Sequence, residues 1–513
     1  MISFRINNIK AFVDSGKIEL APITIFVGKN SCGKSSLIRF PAVLAQSRME
    51  DSESPISFFG KLLDYGNYED VIHGHEQMDF TYSVEYEINT SNLSNVYYPV
   101  RNVLHYNRSS RKNKNLKSII SVTIGKTGKK IVIKGMKFYL DDLLAYEIVL
   151  KQESYTYILY CKYENNQLIK LEHFYTFQAG LEISNRFNAG IPIVFVDEDQ
   201  IARVIDDEFG KKGSKTTEKF LESRRSYRLT EEVLNDYNSA DRAAIQIEST
   251  IEFLTNLTIQ IARSMEFESS SLSYIGPFRQ SPDRYYRDME RNANFVGARG
   301  ENVSTILVND FHKKKELIKQ ISLWLNEALG YKLAIKDMGA NLFQVMLEDD
   351  KGFQSNIMDV GYGVSQILPI VVAVFKDLQR PNGYIGADSI LIIEQPELHL
   401  HPAAQAELAN LFAECIVGTK GERRSNRKKI LIETHSEHLI RKLQVLIAEK
   451  RLNSEMVKFY YVDKNEEGEA SVNEMRILPN GKFIDRWPSG FFDKAQILAY
   501  ELLRSSGRKL EDW

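Results

Sequence analysis

The chain contains 513 residues, of which 43% are hydrophobic and 26% are charged, and its formal net charge is −2. A chain of this length exceeds the usual size of a single hydrophobic core, so we expect two lobes in a folded soluble protein. The small net charge does not indicate a nucleic-acid or membrane binder, so any contact with nucleic acid would depend on a local basic patch.

The N-terminus alternates apolar and polar residues and lacks the continuous apolar core of a signal peptide. No run of about 18 apolar residues occurs in the sequence, which excludes a membrane-spanning helix. The cysteines at positions 32, 161 and 415 form no CxxC or Cys/His pattern, so neither a disulfide framework nor a zinc site is indicated. We therefore expect a cytoplasmic protein with no membrane contact.

The first predicted elements are strands that lead into a glycine-rich loop. Apolar residues alternate over positions 2–6, and further strands are predicted at residues 17–20 and 23–27. The next segment, Gly28-Lys29-Asn30-Ser31-Cys32-Gly33-Lys34-Ser35, satisfies the phosphate-loop pattern GxxxxGK[ST]. A strand precedes this loop and a helix is predicted after it, which favours a phosphate loop over a chance glycine loop. Pro41 is expected to kink or shorten that helix.

The residue types in this loop match the chemistry of phosphate binding. Glycines at positions 28 and 33 let backbone N–H groups point at phosphate oxygens, and the helix N-terminus adds a favourable partial charge. Lys34 is predicted to reach the β- and γ-phosphates, and the Ser35 hydroxyl is predicted to coordinate Mg²⁺. The predicted nucleotide contacts of the loop are Asn30, Ser31, Gly33, Lys34, Ser35 and Ser36.

The character of the sequence changes between about residues 80 and 270. Short strands rich in Tyr and Val alternate with polar loops, and a helical stretch is expected from about Thr230 to Glu266. We interpret this middle third as an insertion in a nucleotide-binding domain. Basic clusters at residues 108–117, 211–219, 224–228 and 423–429 are either solvated loops or a surface for nucleic-acid phosphates.

Two buried strands are predicted in the last third, each ending in polar residues. The apolar run at residues 389–393 is typical of a parallel strand covered on both faces, and it ends at Glu394-Gln395. The next strand, at residues 429–432, ends in Glu433-Thr434-His435-Ser436. The helix between them has one apolar side, formed by Ala404, Leu408, Leu411, Phe412 and Cys415. Strands that alternate with helices predict an α/β core with a parallel sheet.

An acid at the end of an apolar strand is what a Walker B segment requires, because the strand fixes the carboxylate beside the Mg²⁺ shell. Glu394 is therefore the predicted metal ligand beside Ser35, whereas an ordinary acidic turn is the alternative if the segment is taken alone. His435 ends the neighbouring strand and is predicted to contact the γ-phosphate.

The order of phosphate loop, long insertion, glycine-rich turn, PELHLHP segment (residues 396–402) and ETHS segment (residues 433–436) resembles the ABC-type AAA ATPases of the SMC, RecF and OLD group. The resemblance implies an α/β fold, an ABC-type P-loop nucleotide-binding head with a large inserted α+β lobe. It also implies ATP and Mg²⁺ as cofactors and His435 as the switch histidine. The expected domains are the N-terminal part of the head at 1–80, the inserted lobe at 81–270, the C-terminal part of the head at 271–470 and a helical tail at 471–513.

Residues 360–366 resemble a divergent ABC signature motif that opens a helix. In this family the signature of one subunit covers the ATP held by the other, so the resemblance implies a homodimer or a higher homo-oligomer. The predicted contacts to the partner's nucleotide are Gly361, Gly363, Ser365 and Gln366. Gly361 stands where the family usually has serine, which leaves an ordinary glycine turn into a helix as the alternative.

Gln395 falls where the family's general base normally stands, and a neutral amide cannot accept a proton as a carboxylate does. Glu394, Gln395 and His435 are the predicted catalytic-site residues, and Glu397 is a candidate substitute base. The sequence leaves two alternatives for ATP hydrolysis by this chain, a weak ATPase and a nearly inactive one.

The arrangement is most similar to the PtuA-like ATPases of Septu and retron antiphage systems, whose partner is an HNH nuclease. By that resemblance we expect a sensor or regulatory scaffold for a separate effector nuclease. The chain has no HNH or HExxH pattern and its tail lacks the acid cluster of a Toprim domain, so it is not expected to be a nuclease itself. The alternative is a RecF- or SMC-like ATPase that binds DNA directly in repair, while the large insertion and divergent signature disfavour a transporter subunit.

Overall fold

The structure is a computed structural model that describes residues 1–49, 54–75, 79–89, 115–151, 154–164, 167–179, 239–288, 291–378, 389–417, 428–488 and 494–505. The basic clusters at residues 211–219 and 224–228 lie outside these ranges, as do residues 108–114 and 423–427 of the other two clusters. No helix in the described ranges combines the length and the apolarity needed to cross a bilayer.

The strands are β1 (Ser3–Ile9), β2 (Phe12–Asp14), β3 (Ile18–Glu19), β4 (Ile23–Gly28), β5 (Phe80–Asn89), β6 (Asn115–Thr127), β7 (Lys130–Leu140), β8 (Leu143–Lys151), β9 (Ser154–Glu164), β10 (Gln167–Ala179), β11 (Ser273–Ile275), β12 (Tyr286–Arg287), β13 (Tyr331–Gly339), β14 (Leu342–Asp349), β15 (Gln354–Asn356), β16 (Ser389–Glu394), β17 (Lys428–Glu433), β18 (Val457–Lys464) and β19 (Ala470–Glu474). The helices are α1 (Lys34–Met49), α2 (Tyr68–Val71), α3 (Ser239–Ser271), α4 (Val303–Phe311), α5 (Glu316–Leu329), α6 (Tyr362–Leu378), α7 (Pro402–Val417), α8 (Glu437–Ala448) and α9 (Lys494–Ser505).

The chain divides into two compact units, and the first contains residues 1–19 and 43–270. It is built on an antiparallel sheet with the strand order β10-β9-β8-β7-β6-β5-β1-β2, in which β3 also pairs with β1. Helix α3 is tied to this sheet by two hydrogen bonds of 2.7 Å, one between the hydroxyls of Tyr146 and Thr258 and one from Tyr86 to Glu268. These bonds satisfy polar groups that would otherwise be costly to bury.

The second unit contains residues 20–42 and 271–513. Its main sheet has the order β11-β16-β17-β4-β18, all parallel, and β19 adds an antiparallel strand beside β18. Every residue of β4 is buried, as are residues 390–394 and 429–433, because both faces of the sheet are covered. A smaller antiparallel sheet has the order β12-β14-β13, with β15 on β14.

The parallel sheet brings the polar ends of three distant segments to one edge. Glu394 at the end of β16 is in register with Glu433 at the end of β17, and Glu433 is in register with Phe26 of β4. Gly28, the first residue of the glycine-rich loop, ends β4 at the same edge. Ligands of open α/β sheets bind at the carboxyl ends of the strands, so this edge positions the candidate site.

The predicted α/β fold class, with a parallel sheet and a large inserted α+β body, is confirmed. The apolar side predicted for α7 is also confirmed, since all five of its residues are buried. The strands of the middle region are longer than expected, and β6 and β10 have 13 residues each. The helix expected from Thr230 is described from Ser239 onward and extends to Ser271, while residues 230–238 lie outside the described ranges.

The expectation that Pro41 shortens the first helix was wrong, because α1 continues through Pro41 to Met49. A proline removes one backbone hydrogen bond within a helix. The neighbouring residues Phe40, Ala42 and Val43 are fully buried on different sides of the helix, and this burial outweighs the lost bond.

Candidate nucleotide site

The loop between β4 and α1 has the backbone curvature that phosphate binding requires. Gly28 has φ 149° and Gly33 has φ 104°, and Ser31 between them has φ 61°. A Cβ atom at position 28 would lie 2.0 Å from the carbonyl oxygen of Val462, so only glycine fits there. Because α1 begins at Lys34, its free backbone N–H groups face the loop.

Lys34 lies inside this loop and is only 3% exposed. Its ammonium donates a hydrogen bond of 2.5 Å to the carbonyl oxygen of Lys29 and lies 4.0 Å from a carboxylate oxygen of Glu433. The Ser35 hydroxyl lies near the Glu433 carboxylate and partly offsets the rise in the pKa of that group. Among the other predicted loop contacts, Asn30 and Ser31 are exposed. An inward-facing ammonium beside exposed loop residues is a suitable setting for a phosphate chain.

Glu394 is 1% exposed, and both of its carboxylate oxygens accept hydrogen bonds. Arg39 binds it in a bidentate manner, through Nε at 2.6 Å and Nη2 at 2.7 Å. The hydroxyl of Tyr274 donates to the same carboxylate at 2.7 Å, and burial followed by the Glu394 charge raises the pKa of this tyrosine. Both oxygens of the predicted metal ligand are therefore engaged by two side chains that the sequence did not indicate.

A second arginine holds the backbone that follows β16. Arg279 donates to the carbonyl oxygen of Glu394 at 2.6 Å and to that of Gln395 at 3.0 Å. Burial lowers the pKa of Arg279 to about 10, so the guanidinium stays charged at neutral pH. Gln395 has φ 45° and donates its backbone N–H to the carbonyl oxygen of Glu433 at 2.8 Å. These bonds fix the position of Gln395 at the end of the strand.

Glu433 is a buried carboxylate with one oxygen left open. Its side chain is 4% exposed, and its Oε2 atom has no hydrogen-bond partner within the described part of the chain. Burial, and then the negative charge of Glu394, raise the pKa of Glu433 to about 7. The sequence analysis assigned no role to this residue.

His435 and Glu397 lie just after the ends of β17 and β16, respectively. The backbone N–H of His435 donates to Glu397 at 2.6 Å. The side chain of His435 is exposed, but partial desolvation of its ring and the charge of Lys34 lower its pKa to about 4. The imidazole is therefore neutral at pH 7. The effect of the Lys34 charge on its pKa shows that the ring lies near the phosphate loop.

The signature-like segment contacts the PELHLHP turn. A Cβ atom on Gly363 would lie 2.8 Å from the carbonyl oxygen of His399, and the ring of Tyr362 packs edge-on against the His399 ring. Ser365 and Gln366 are buried, and Ser365 donates to the carbonyl oxygen of Tyr362 at 2.7 Å. Gly361 is exposed, with open space around it.

The structure thus brings five of the predicted site residues, Lys34, Ser35, Glu394, Gln395 and His435, to one edge of the parallel sheet. The signature-like residues form a separate group at the start of α6. Sequence reasoning missed Arg39, Tyr274, Arg279 and Glu433. Only Glu433 had a local signal, since it ends a predicted strand next to His435. The loop, the ammonium, the serine hydroxyl and the strand-end carboxylates fit a nucleotide with Mg²⁺.

Comparisons with known proteins agree with this chemistry. The family model described as "AAA ATPase domain" matches residues 1–440, and the model of a protein of unknown function (DUF3696) matches residues 452–502. No curated protein matches the chain.

Two SMC head domains are among the solved structures to which the chain is similar. One is the Smc head domain from Pyrococcus furiosus bound to the C-terminal domain of ScpA, with a TM-score of 0.38, 11% identity and coverage of 98% of each chain. The other is the SMC head domain from Thermotoga maritima, with a TM-score of 0.35, 9% identity and coverage of 93% of this chain and 98% of that chain.

The contacts of Arg39 and Tyr274 with Glu394 lead to a prediction about stability. Arg39→Gln removes the bidentate partner of a buried carboxylate and is expected to lower the free energy of unfolding by about 3 kcal/mol. Tyr274→Phe removes one hydrogen bond to the same carboxylate and should cost about 1.5 kcal/mol. Urea unfolding of the nucleotide-free protein measures both. Arg441→Gln is the control, because its pair with Glu437 is exposed and is worth less than about 1 kcal/mol. Equal losses for Arg39→Gln and Arg441→Gln would contradict the prediction.

Glu433 generates a prediction about pH. Its folded pKa of about 7 lies above the ordinary value of 4.5, so the folded state keeps a proton that the unfolded state has released. The stabilising contribution is complete below pH 4.5 and is lost as the pH rises through 7, by up to about 3 kcal/mol. His435 acts in the opposite sense, since a folded pKa of about 4 against 6.5 makes stability fall as the pH falls.

Comparing wild type with Glu433→Gln separates the two effects, because the variant retains His435. In urea unfolding without nucleotide or metal, the stability of the variant relative to wild type should increase from pH 4.5 to pH 7. A difference that does not change with pH would show that Glu433 is already ionised at low pH.

Proposed function

Because the chain belongs to the AAA ATPase domain family, whose model matches residues 1–440, we propose that it is a nucleotide-gated dimeric ATPase. It binds ATP with Mg²⁺, hydrolyses ATP slowly, and acts as a sensor or regulatory scaffold for a separate effector in antiphage defence. The effector is a nuclease of the HNH type.

The phosphate loop supports ATP binding. The N-terminus of α1 and the Lys34 ammonium would bind the phosphates, and the exposed residues Asn30 and Ser31 would border the nucleotide. The Ser35 hydroxyl and one of the carboxylates at the ends of β16 and β17 would hold Mg²⁺, which neutralises charge on the β- and γ-phosphates.

Slow hydrolysis rests on Gln395. Arg279 and the Glu433 carbonyl fix this residue immediately after the buried end of β16, where the family resemblance puts the general base. An amide can orient a water molecule but cannot take its proton. The neutral ring of His435 can donate a hydrogen bond to the γ-phosphate without adding charge. ATP would therefore stay bound for a long time before it is cleaved, which suits a switch better than a motor.

The proposed dimer is supported by an exposed residue of the signature-like segment. Gly361 is exposed at the start of α6, as a residue that meets the partner's nucleotide must be. The effector and the role in defence come from the resemblance to PtuA-like ATPases, which is analogy at family level. A RecF- or SMC-like repair ATPase that binds DNA by itself is the alternative.

ATP turnover by the purified protein tests the proposal. We expect little hydrolysis by wild type and an increase of about tenfold or more for Gln395→Glu, because a positioned general base typically contributes 10²–10⁴-fold. Lys34→Ala serves as the blank, since it removes the ammonium that would bind the phosphates. Brisk hydrolysis by wild type would show that another residue is the base. ATP-dependent DNA binding by the chain alone would then favour the repair ATPase.

Mass in solution tests the dimer. Wild type is expected to double its mass on addition of MgATP, as measured by light scattering, and Lys34→Ala should remain unchanged. Gly361→Arg should also stay at the smaller mass, because the new side chain has open space in its own subunit and would obstruct only a partner. Unchanged thermal melting of Gly361→Arg controls for folding. A dimer formed equally well by this variant would exclude the signature-like segment from the interface.

A further inference from the structure

Two carboxylates lie side by side at the edge of the parallel sheet, and their surroundings differ. Glu394 and Glu433 are register partners on β16 and β17, and β17 lies between β16 and the strand that leads into the phosphate loop. Neighbouring strands are about 4.8 Å apart, so Glu433 is one strand closer to the phosphate loop than Glu394 is.

We propose that Glu433, rather than Glu394, is the carboxylate that faces the Mg²⁺ of bound MgATP, and that Glu394 is a positioning residue for Arg39 and Tyr274. This inference rests on the proposed binding of ATP with Mg²⁺. It reassigns the metal-facing role from the end of β16 to the end of β17.

Glu394 is less available to a metal ion in its observed arrangement than Glu433 is. Arg39 and Tyr274 occupy both of its oxygens at 2.6–2.7 Å, and the carboxylate is 1% exposed. A metal ion would have to displace a bidentate guanidinium from a buried site. Breaking a buried pair of this kind leaves an uncompensated charge and is strongly unfavourable.

Glu433 has the opposite character. Its Oε2 atom is buried without a hydrogen-bond partner among the described residues, and the nearest cation, Lys34, is 4.0 Å from its other oxygen. A buried carboxylate with an open oxygen carries an unfavourable desolvation free energy that an arriving cation relieves.

The position of Ser35 connects this open carboxylate to the metal. Ser35, whose hydroxyl the phosphate-loop pattern assigns to Mg²⁺, follows Lys34 at the start of α1, and the Lys34 ammonium lies 4.0 Å from the Glu433 carboxylate. Mg²⁺ takes oxygen ligands, keeps several waters and uses one or two carboxylates together with substrate phosphates. An ion on the Ser35 oxygen would meet Glu433 directly or through one of its bound waters.

The test compares metal dependence in four proteins. ATP affinity is measured by calorimetry in excess EDTA and in Mg²⁺ for wild type, Glu433→Gln, Glu394→Gln and the control Glu437→Gln, which removes an exposed carboxylate at the start of α8. The paramagnetic resonance signal of Mn²⁺ bound with ATP gives a second readout that does not depend on turnover.

We expect wild type and Glu437→Gln to bind ATP more tightly with Mg²⁺ than with EDTA. Glu433→Gln should lose about tenfold or more of this Mg²⁺ effect, and of Mn²⁺ affinity, while its affinity in EDTA is unchanged or higher. Glu394→Gln should keep the Mg²⁺ effect and melt at a lower temperature.

Retention of the full Mg²⁺ effect by Glu433→Gln would overturn the inference, and its loss in Glu394→Gln alone would return the metal to the end of β16. If Glu394→Gln does not fold, the Glu433→Gln titrations decide by themselves. Wild type that binds no ATP in either buffer would overturn the proposed function and this inference with it. Wild type that binds ATP with no Mg²⁺ effect would overturn the inference and the proposed use of Mg²⁺, but not the proposed binding of ATP.

Discussion

The bidentate ion pair between Arg39 and Glu394 is the constraint on which the site depends. It joins α1, which begins in the phosphate loop, to the end of β16, 355 residues further along the chain. Removing either partner would leave a buried charge, so the two elements are held at a fixed separation. Arg279 adds a second connection by holding the backbone at the end of β16. The loop and the strand end are therefore positioned before any nucleotide arrives.

Parallel pairing extends this constraint across the sheet. Since β4, β17 and β16 are adjacent and in register, their carboxyl ends form one edge, although they come from opposite ends of the sequence. The body formed by residues 43–270, with residues 1–19, interrupts the chain between these segments. The geometry of the site thus depends on long-range pairing of short apolar strands, and the short loops after the strands carry the chemistry.

Local patterns in the sequence predicted the elements but not their partners. The loop around Lys34 and the strands ending at Glu394 and Glu433 were evident, because glycine spacing and continuous apolar runs are local signals. Arg39 and Tyr274 gave no such signal, since an arginine inside a helix and a tyrosine in a short strand are ordinary. Their roles arise only when folding brings them to one carboxylate. The same holds for β1, whose alternation predicted a strand but not its pairing with β5.

Charge balance links Gln395 to Glu433. Arg39 compensates Glu394, and the ammonium of Lys34 is the cation nearest to Glu433. A third carboxylate at position 395 would stand beside two others at one sheet edge, and each would raise the cost of ionising its neighbours. A neutral amide avoids that repulsion while keeping a polar group at the strand end. The amide at position 395 and the buried acid with an open oxygen at position 433 are therefore two parts of one charge arrangement.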